Sequence, residues 1–141
     1  MREKKIKILV ADDHELFRKG LISLLRDEET IQILAEANNG KDLIYKYLKY
    51  KPDVVLSDIS MPELSGLEAV TTLLETDPEA KVIFLSMFAG DEYVYHCYNA
   101  GGLGLINKDI SAEELVKAIT SVYNGQKYFG KEYNEIKIKE L

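Results

Sequence analysis

The 141-residue chain is 46% apolar and 30% charged, the balance of one soluble globular domain, and it is too short for an eight-unit α/β barrel. A formal net charge of −6 argues against direct binding to nucleic acid or to an anionic membrane surface, and no apolar run reaches transmembrane length. Cys97 stands alone, which excludes a disulfide framework and a thiolate metal cluster, suits a reducing cytoplasm, and marks the thiol as a small buried apolar group.

Apolar runs alternate with helical patterns five times, the signature of βα units. The basic opening (Arg2, Lys4, Lys5, Lys7) is interleaved with a first strand, Lys5–Ala11, and lacks the apolar stretch of a signal peptide. A helix over Glu15–Arg26 carries Phe17, Leu21, Leu24 and Leu25 as its core stripe. Strand two is Ile31–Ala37, followed by the turn Asn38-Asn39-Gly40, a helix over Lys41–Tyr50, and the breaker Lys51-Pro52-Asp53. Strand three, Val54–Ser57, ends on Asp58. The capping box Ser65–Glu68 opens a third helix with Leu67, Val70, Leu73 and Leu74 at helical spacing, stopped by Asp77-Pro78. Strand four, Lys81–Leu85, is almost wholly apolar and belongs inside the sheet. A helix over Asp91–Ala100 buries Val94, Cys97 and Tyr98, Gly101-Gly102 ends it, and Leu103–Asn107 forms a short strand. A second capping box, Ser111–Glu114, starts a helix that turns Leu115, Ala118, Ile119 and Val122 inward. Past Gly125 the apolar residues Tyr128, Phe129, Tyr133, Ile136, Ile138 and Leu141 follow no period. The expected organisation is one domain over 1–127 and a linker or partly ordered tail over 128–141. Right-handed crossovers give an α/β fold, a doubly wound parallel sheet of five strands in the order 2-1-3-4-5 with helices on both faces.

Strands that release carboxylates at their C-terminal ends place Asp12, Asp13 and Asp58 along one rim of such a sheet. At about 5 Å and an effective dielectric of about 20, each carboxylate pair costs roughly 3 kcal/mol, so the site calls for a cation. Hard oxygen ligands suit Mg²⁺. His14 is expected to cap or to stay solvated rather than ligate, and His96 to lie on the surface of the fourth helix. Ser86 follows strand four and Lys108 follows strand five, so both reach the same rim. Acids, hydroxyl and amine together make a phosphoryl-transfer constellation, with an aspartate as nucleophile and the rest neutralising charge. Asp12-Asp13-His14-Glu15 stands where a nucleotide site would carry glycines, and its acids would repel a nucleotide phosphate.

Asp12-Asp13, Asp58 with Met61-Pro62 and Gly66, Ser86 and Lys108-Asp109 together resemble the receiver domain of bacterial two-component response regulators, over about residues 5–127. Asp12 through Leu21 and Ala100 through Gly104 are similar to the LuxR/NarL-type subfamily. The resemblance implies a flavodoxin-like fold and a phosphoryl group passed from a histidine kinase's phosphohistidine to Asp58. It implies Mg²⁺ held by Asp12, Asp13 (the more direct ligand), Asp58 and the main-chain carbonyl of Ser60. Lys108 would pair with the phosphoryl group, and Ser86 would swing toward it as the switch hydroxyl. It further implies slow self-catalysed phosphotransfer and dephosphorylation rather than enzymatic turnover, a cytoplasmic location, and pairing of two copies on phosphorylation. DNA would be contacted only through an output domain missing from this chain, which is expected to be an excised receiver.

One departure is Leu105, where the family commonly has Tyr or Phe; this puts the aromatic half of the switch in doubt, although Phe88 offers substitute packing and a shield for the site. The fourth helix, with Tyr93, Tyr95 and a Gly101-Gly102 hinge, is the expected moving part, and the face between the first and last helices is a second dimer surface. A Mg²⁺-dependent aspartyl phosphatase of the haloacid-dehalogenase class is disfavoured because His14 stands two residues beyond Asp12, where that class has an acid. A degenerate receiver acting as a constitutive interaction module is disfavoured by the intact acid, hydroxyl and lysine set, while Leu105 keeps it open.

Overall fold

The computed structural model describes residues 4–130, 133 and 135–141; residues 1–3, Arg2 of the basic opening among them, residues 131, 132 and 134, and the side chains of Glu135 and Ile136 lie outside that set. Five parallel strands, β1 (Ile6–Ala11), β2 (Ile31–Ala37), β3 (Val54–Asp58), β4 (Val82–Ser86) and β5 (Gly104–Asn107), lie in the order β2-β1-β3-β4-β5, as the βα alternation predicts. Helices α1 (Glu15–Arg26), α2 (Gly40–Tyr50), α3 (Gly66–Thr76), α4 (Asp91–Asn99) and α5 (Ala112–Tyr123) follow the strands in turn, and a short α6 (Glu135–Lys139) closes the chain.

The period of two along each strand divides the core into two layers. Ile8 and Val10 of β1 join Leu56 and Leu85 beneath α1 and α5. Leu9 and Ala11 join Val55 and Phe84 beneath α2, α3 and α4. Burial of both faces is why β3 and β4 read as unbroken apolar runs. Ser65 and Ser111 cap α3 and α5, their Oγ atoms accepting from the Glu68 and Glu114 N–H groups at 3.1 and 3.2 Å. The two glutamates of the boxes turn to other partners: Glu68 Oε1 accepts from the Ser65 hydroxyl, and Glu114 Oε1 accepts from the Tyr128 hydroxyl at 2.7 Å.

Element ends shift by a residue at β1, α2, α4 and β5, and other details differ from the sequence reading. β4 begins one residue later, at Val82, and the Lys81 Nζ donates to the Tyr123 carbonyl at 2.8 Å. Leu24, assigned to the core stripe of α1, is 51% exposed; Leu21, Ile22 and Leu25 make the buried face. Gly101-Gly102 is packed rather than hinge-like, since a Cβ on Gly102 would sit 2.6 Å from the Phe84 ring. After Gly125, isolated residues do the packing that periodicity could not reveal. Tyr128 bridges Gly104 in parallel, donating to the Leu103 carbonyl at 2.8 Å and accepting from the Leu105 N–H at 3.0 Å. Phe129 and Ile138 are buried in the layer that holds Val94 and Cys97. Cys97 is fully buried, as expected, and burial pushes its thiol up to about 12. Among the described residues no helix is long and apolar enough to cross a membrane.

Candidate functional site

Because β1, β3, β4 and β5 run parallel and end level, the residues that close them meet. Ser86 pairs with Asn107 in register, and the Lys108 N–H donates to the Ser86 carbonyl at 2.8 Å. Asp12, Asp13, Asp58, Ser86 and Lys108 therefore stand on one rim, as the sequence predicts, with Ser60 on the loop after β3. Asp58, Asp13, His14, Ser86 and Lys108 line a cleft of about 420 Å³, with Phe88 and Tyr93 on its wall.

Lys108 is the pivot. Its side chain is only 4% exposed, with Nζ 2.8 Å from Asp12 Oδ2 and 3.2 Å from Asp58 Oδ2. The Phe17 ring covers the ammonium at 4.7 Å, a cation–π contact that also removes it from water. Asp12 is fully buried, and its Oδ1 accepts from the His14 N–H at 2.8 Å. Its Oδ2 has no hydrogen-bond partner and meets only the Lys108 charge, outside hydrogen-bonding geometry. Asp13 is more open, 30% exposed at the side chain. Burial, followed by the neighbouring Asp12 charge, raises the Asp58 carboxyl above the ordinary carboxylate range, against the opposing pull of Lys108 and the Ser60 N–H. Ser86 is buried, and its Oγ accepts from the Phe88 N–H at 3.0 Å.

His14 stays largely in solvent, one of the two roles the sequence offers, with its side chain 60% exposed. It is the N-cap residue of α1 but its side chain makes no cap bond. The ring instead leans over the acids, with Nδ1 2.9 Å from Asp12 Oδ1 and 3.6 Å from both Asp13 Oδ1 and Asp58 Oδ2. His96 is on the surface of α4 as expected, 3.9 Å from Glu92. Leu105 is half-buried on the α4 side of the sheet, against the same core layer as Phe129.

Two contributors escaped the sequence reading. Arg18 donates from Nη1 to the Asp12 carbonyl at 2.6 Å and from Nε to Glu36 Oε1 at 2.9 Å, so α1 and β2 together fix the end of β1. Desolvation works against the Glu36 charge, but Arg18 and Lys19 outweigh it and hold this carboxyl below its usual range. Phe17, assigned to the core, proves to be the lid over Lys108. Neither role has a periodic signal, since both depend on pairings between distant elements.

The donor set fits a hard divalent cation. Ligand atoms of Asp12, Asp13, His14 and Asp58 lie within 4.8 Å of one another, and an unbonded oxygen on a fully buried carboxylate is what a cation would satisfy.

The model of the response regulator receiver domain family matches residues 8–120. The chain belongs to that family. This receiver is 35% identical over 140 residues to the transcriptional regulatory protein DegU of Brevibacillus brevis, covering 99% of this chain and 59% of DegU. It is 40% identical over 123 residues to the response regulator GacA of Pseudomonas aeruginosa, covering 87% of this chain and 58% of GacA. The receiver thus spans less than two thirds of either relative. In three dimensions it matches a LuxR-family two-component response regulator from Aurantimonas sp. SI85-9A1 with a TM-score of 0.87 at 26% identity, over 97% of both chains. A LuxR-family DNA-binding response regulator from Staphylococcus aureus matches with a TM-score of 0.78 at 29% identity, over 84% of this chain and 99% of that one.

The raised Asp58 carboxyl has a measurable consequence. Between the unfolded carboxylate value and the higher folded one, the native receiver binds a proton that the unfolded chain does not. Its contribution to stability is therefore complete at low pH and is lost as pH rises through the folded value. At neutral pH the Asp58 charge is a net cost to the fold. Asp58→Asn is expected to raise Tm at pH 7 without divalent cation, with the gap closing at acid pH. Thermal melts of both proteins across pH check this.

Proposed function

We propose that this receiver is a phosphorylation-dependent signalling switch, accepting on Asp58 the phosphoryl group of a histidine kinase's phosphohistidine. The observation that carries the reading is the buried Lys108 ammonium held at 2.8 and 3.2 Å between Asp12 and Asp58, a fixed positive charge beside a carboxylate, Asp58, that lines the cleft and whose pKa is raised. A carboxylate oxygen of Asp58 attacks phosphorus; the P–O bond forms as the P–N bond breaks, and the departing imidazole keeps the electron pair and takes a proton. Lys108 then pairs with the phosphoryl oxygens. Ser86 turns its hydroxyl from the Phe88 N–H toward the same group.

Asp12, Asp13, Asp58 and the Ser60 main-chain carbonyl are the groups that would hold Mg²⁺. Bound there, Mg²⁺ supplies charge neutralisation for the transferring group. The chemistry is slow and self-catalysed in both directions, uptake and hydrolytic loss, without turnover of a free substrate. Phe88, 64% exposed and stacked 5.9 Å from Tyr93, shields the cleft from water. Signalling follows because the modified carboxylate favours another arrangement of the loops after β4 and β5, with a coupling typically of about 1–3 kcal/mol.

Likeness to DegU and GacA supports a cytoplasmic transcription regulator in which residues 1–127 are the receiver and 128–141 lead to a DNA-binding output domain, two copies pairing on phosphorylation. The test is incubation with acetyl phosphate and Mg²⁺, read by intact mass. Wild type is expected to gain one phosphoryl group and Asp58→Asn none. A wild-type mass that stays unchanged with the fold intact would overturn the reading.

A further inference from the structure

Phe17 belongs to the first turn of α1, beside the residue that clamps this helix to the sheet. Arg18 donates to the Asp12 carbonyl at 2.6 Å and to Glu36 Oε1 at 2.9 Å, which ties the start of α1 to the end of β1 and to β2. The Phe17 ring is half-buried and packs on the core layer beneath α1 and α5, its centroid 4.7 Å from Lys108 Nζ. The same Nζ meets Asp12 Oδ2 at 2.8 Å, Asp58 Oδ2 at 3.2 Å and His14 Nδ1 at 3.2 Å. Lys108 borders two spaces, the cleft of about 420 Å³ and an apolar cavity of about 380 Å³. Phe17 lines the apolar one together with Leu21, Leu85, Ile106 and Leu115.

We infer that Phe17 is a positioning residue for phosphoryl transfer, its ring face holding the Lys108 ammonium beside Asp58. The inference rests on the proposed function above and adds a group that acts only through the lysine. A lysine stem is flexible and its ammonium strongly hydrated, so attraction to carboxylates alone leaves it able to exchange them for water. The ring meets the charge with the negative face of its π system and excludes water at the same time. This matters most once Asp12 and Asp13 hold Mg²⁺, because the ammonium then loses part of its hold on Asp12 and faces a like charge. The ring face still retains Lys108 beside Asp58. An aliphatic side chain of similar volume would fill the space but offer the charge nothing.

Fluorination of the ring separates charge attraction from shape, since it drains the π face while hardly changing the size of the side chain. The full chain with Phe17 replaced by 4-fluoro-, 3,5-difluoro- or 3,4,5-trifluorophenylalanine should take up phosphoryl from acetyl phosphate and Mg²⁺ progressively more slowly. The trifluorinated protein should be at least about 5-fold slower by intact mass, the loss of a partly desolvated cation–π contact. Phe17→Tyr keeps a π face and should retain the wild-type rate. Phe17→Met has none and should be as slow as the trifluorinated protein. The contact itself is read by nuclear magnetic resonance without any phosphodonor. The Lys108 ε-methylene, assigned by its loss in Lys108→Met, should lie upfield under the ring current in wild type and in Phe17→Tyr. In Phe17→Met it should return toward the ordinary lysine position. Uptake independent of fluorination, or a Lys108 signal that Phe17→Met does not move, would overturn the positioning role alone. Absence of the phosphoryl mass on wild type with the upfield signal present would overturn the phosphoacceptor reading, and with it the role but not the contact.

Discussion

Lys108→Met should cost the receiver about 3 kcal/mol of stability and lower its Tm by about 10 °C in the absence of divalent cations. Methionine keeps most of the stem that packs under Phe17 but removes the Lys108 ammonium, 2.8 Å from the fully buried Asp12 Oδ2. Two carboxylates are then left facing one another with the charge between them gone, and removing one member of a buried ion pair strands its partner. Millimolar Mg²⁺ should restore part of the lost Tm, because a bound cation supplies the missing neutralisation and binds only the folded chain. Phosphoryl uptake should stay slowed at least about 100-fold at saturating Mg²⁺, since the donor aimed at the transferring group is absent. Differential scanning calorimetry with and without Mg²⁺, together with the intact-mass time course, checks both parts. A Tm within about 2 °C of wild type would show that the lysine is a surface charge.

Gly66→Ala should be nearly as damaging, for a steric reason. A Cβ at this position would lie 1.8 Å from the Asp58 carbonyl oxygen and 2.9 Å from Ser57 Oγ. Both belong to the rigid centre of the sheet, so the loop from Ile59 to Ser65 must move instead, carrying Ser60 away from Asp58. The Gly66 N–H, which now donates to the Ile59 carbonyl at 2.9 Å, moves with it. Overpacking of this severity costs about 3 kcal/mol, and phosphoryl uptake should fall along with stability. Gly20→Ala is the matched control: nothing lies within 4 Å of its added methyl, in the middle of α1, so it should gain up to about 1 kcal/mol. Urea titrations of the two variants beside wild type give opposite shifts in midpoint if the clash at the Asp58 carbonyl is the cause. A loss at both positions, or at neither, would contradict that cause.

The sheet was legible because alternate strand residues commit to opposite layers, and because carboxylates rarely end apolar runs without a use. Asp12, Asp58, Ser86 and Lys108 could be placed on one rim from strand boundaries alone. Their depth could not. Lys108 reads as a surface residue until Phe17, brought over it by α1, closes it from water. His14 reads as a capping or solvated side chain, and its ring is indeed 60% exposed; its approach to 2.9 Å from Asp12 Oδ1 is what the sequence does not show. No period marks the end of the chain because Tyr128, Phe129 and Ile138 are singly placed residues that pack against elements far away in the sequence. Leu24 shows the converse limit, an apolar residue at helical spacing that the fold leaves half exposed.

The most direct measurement is to trap the modified carboxylate chemically. After acetyl phosphate and Mg²⁺, borohydride should reduce an aspartyl phosphate to homoserine, and peptide sequencing should find that residue at position 58. Positions 12 and 13 should remain aspartate, their carboxylates being committed to Lys108 and to cation binding. Homoserine at either of them, or at none of the three in a protein that carries the phosphoryl mass, would contradict Asp58 as the phosphoacceptor.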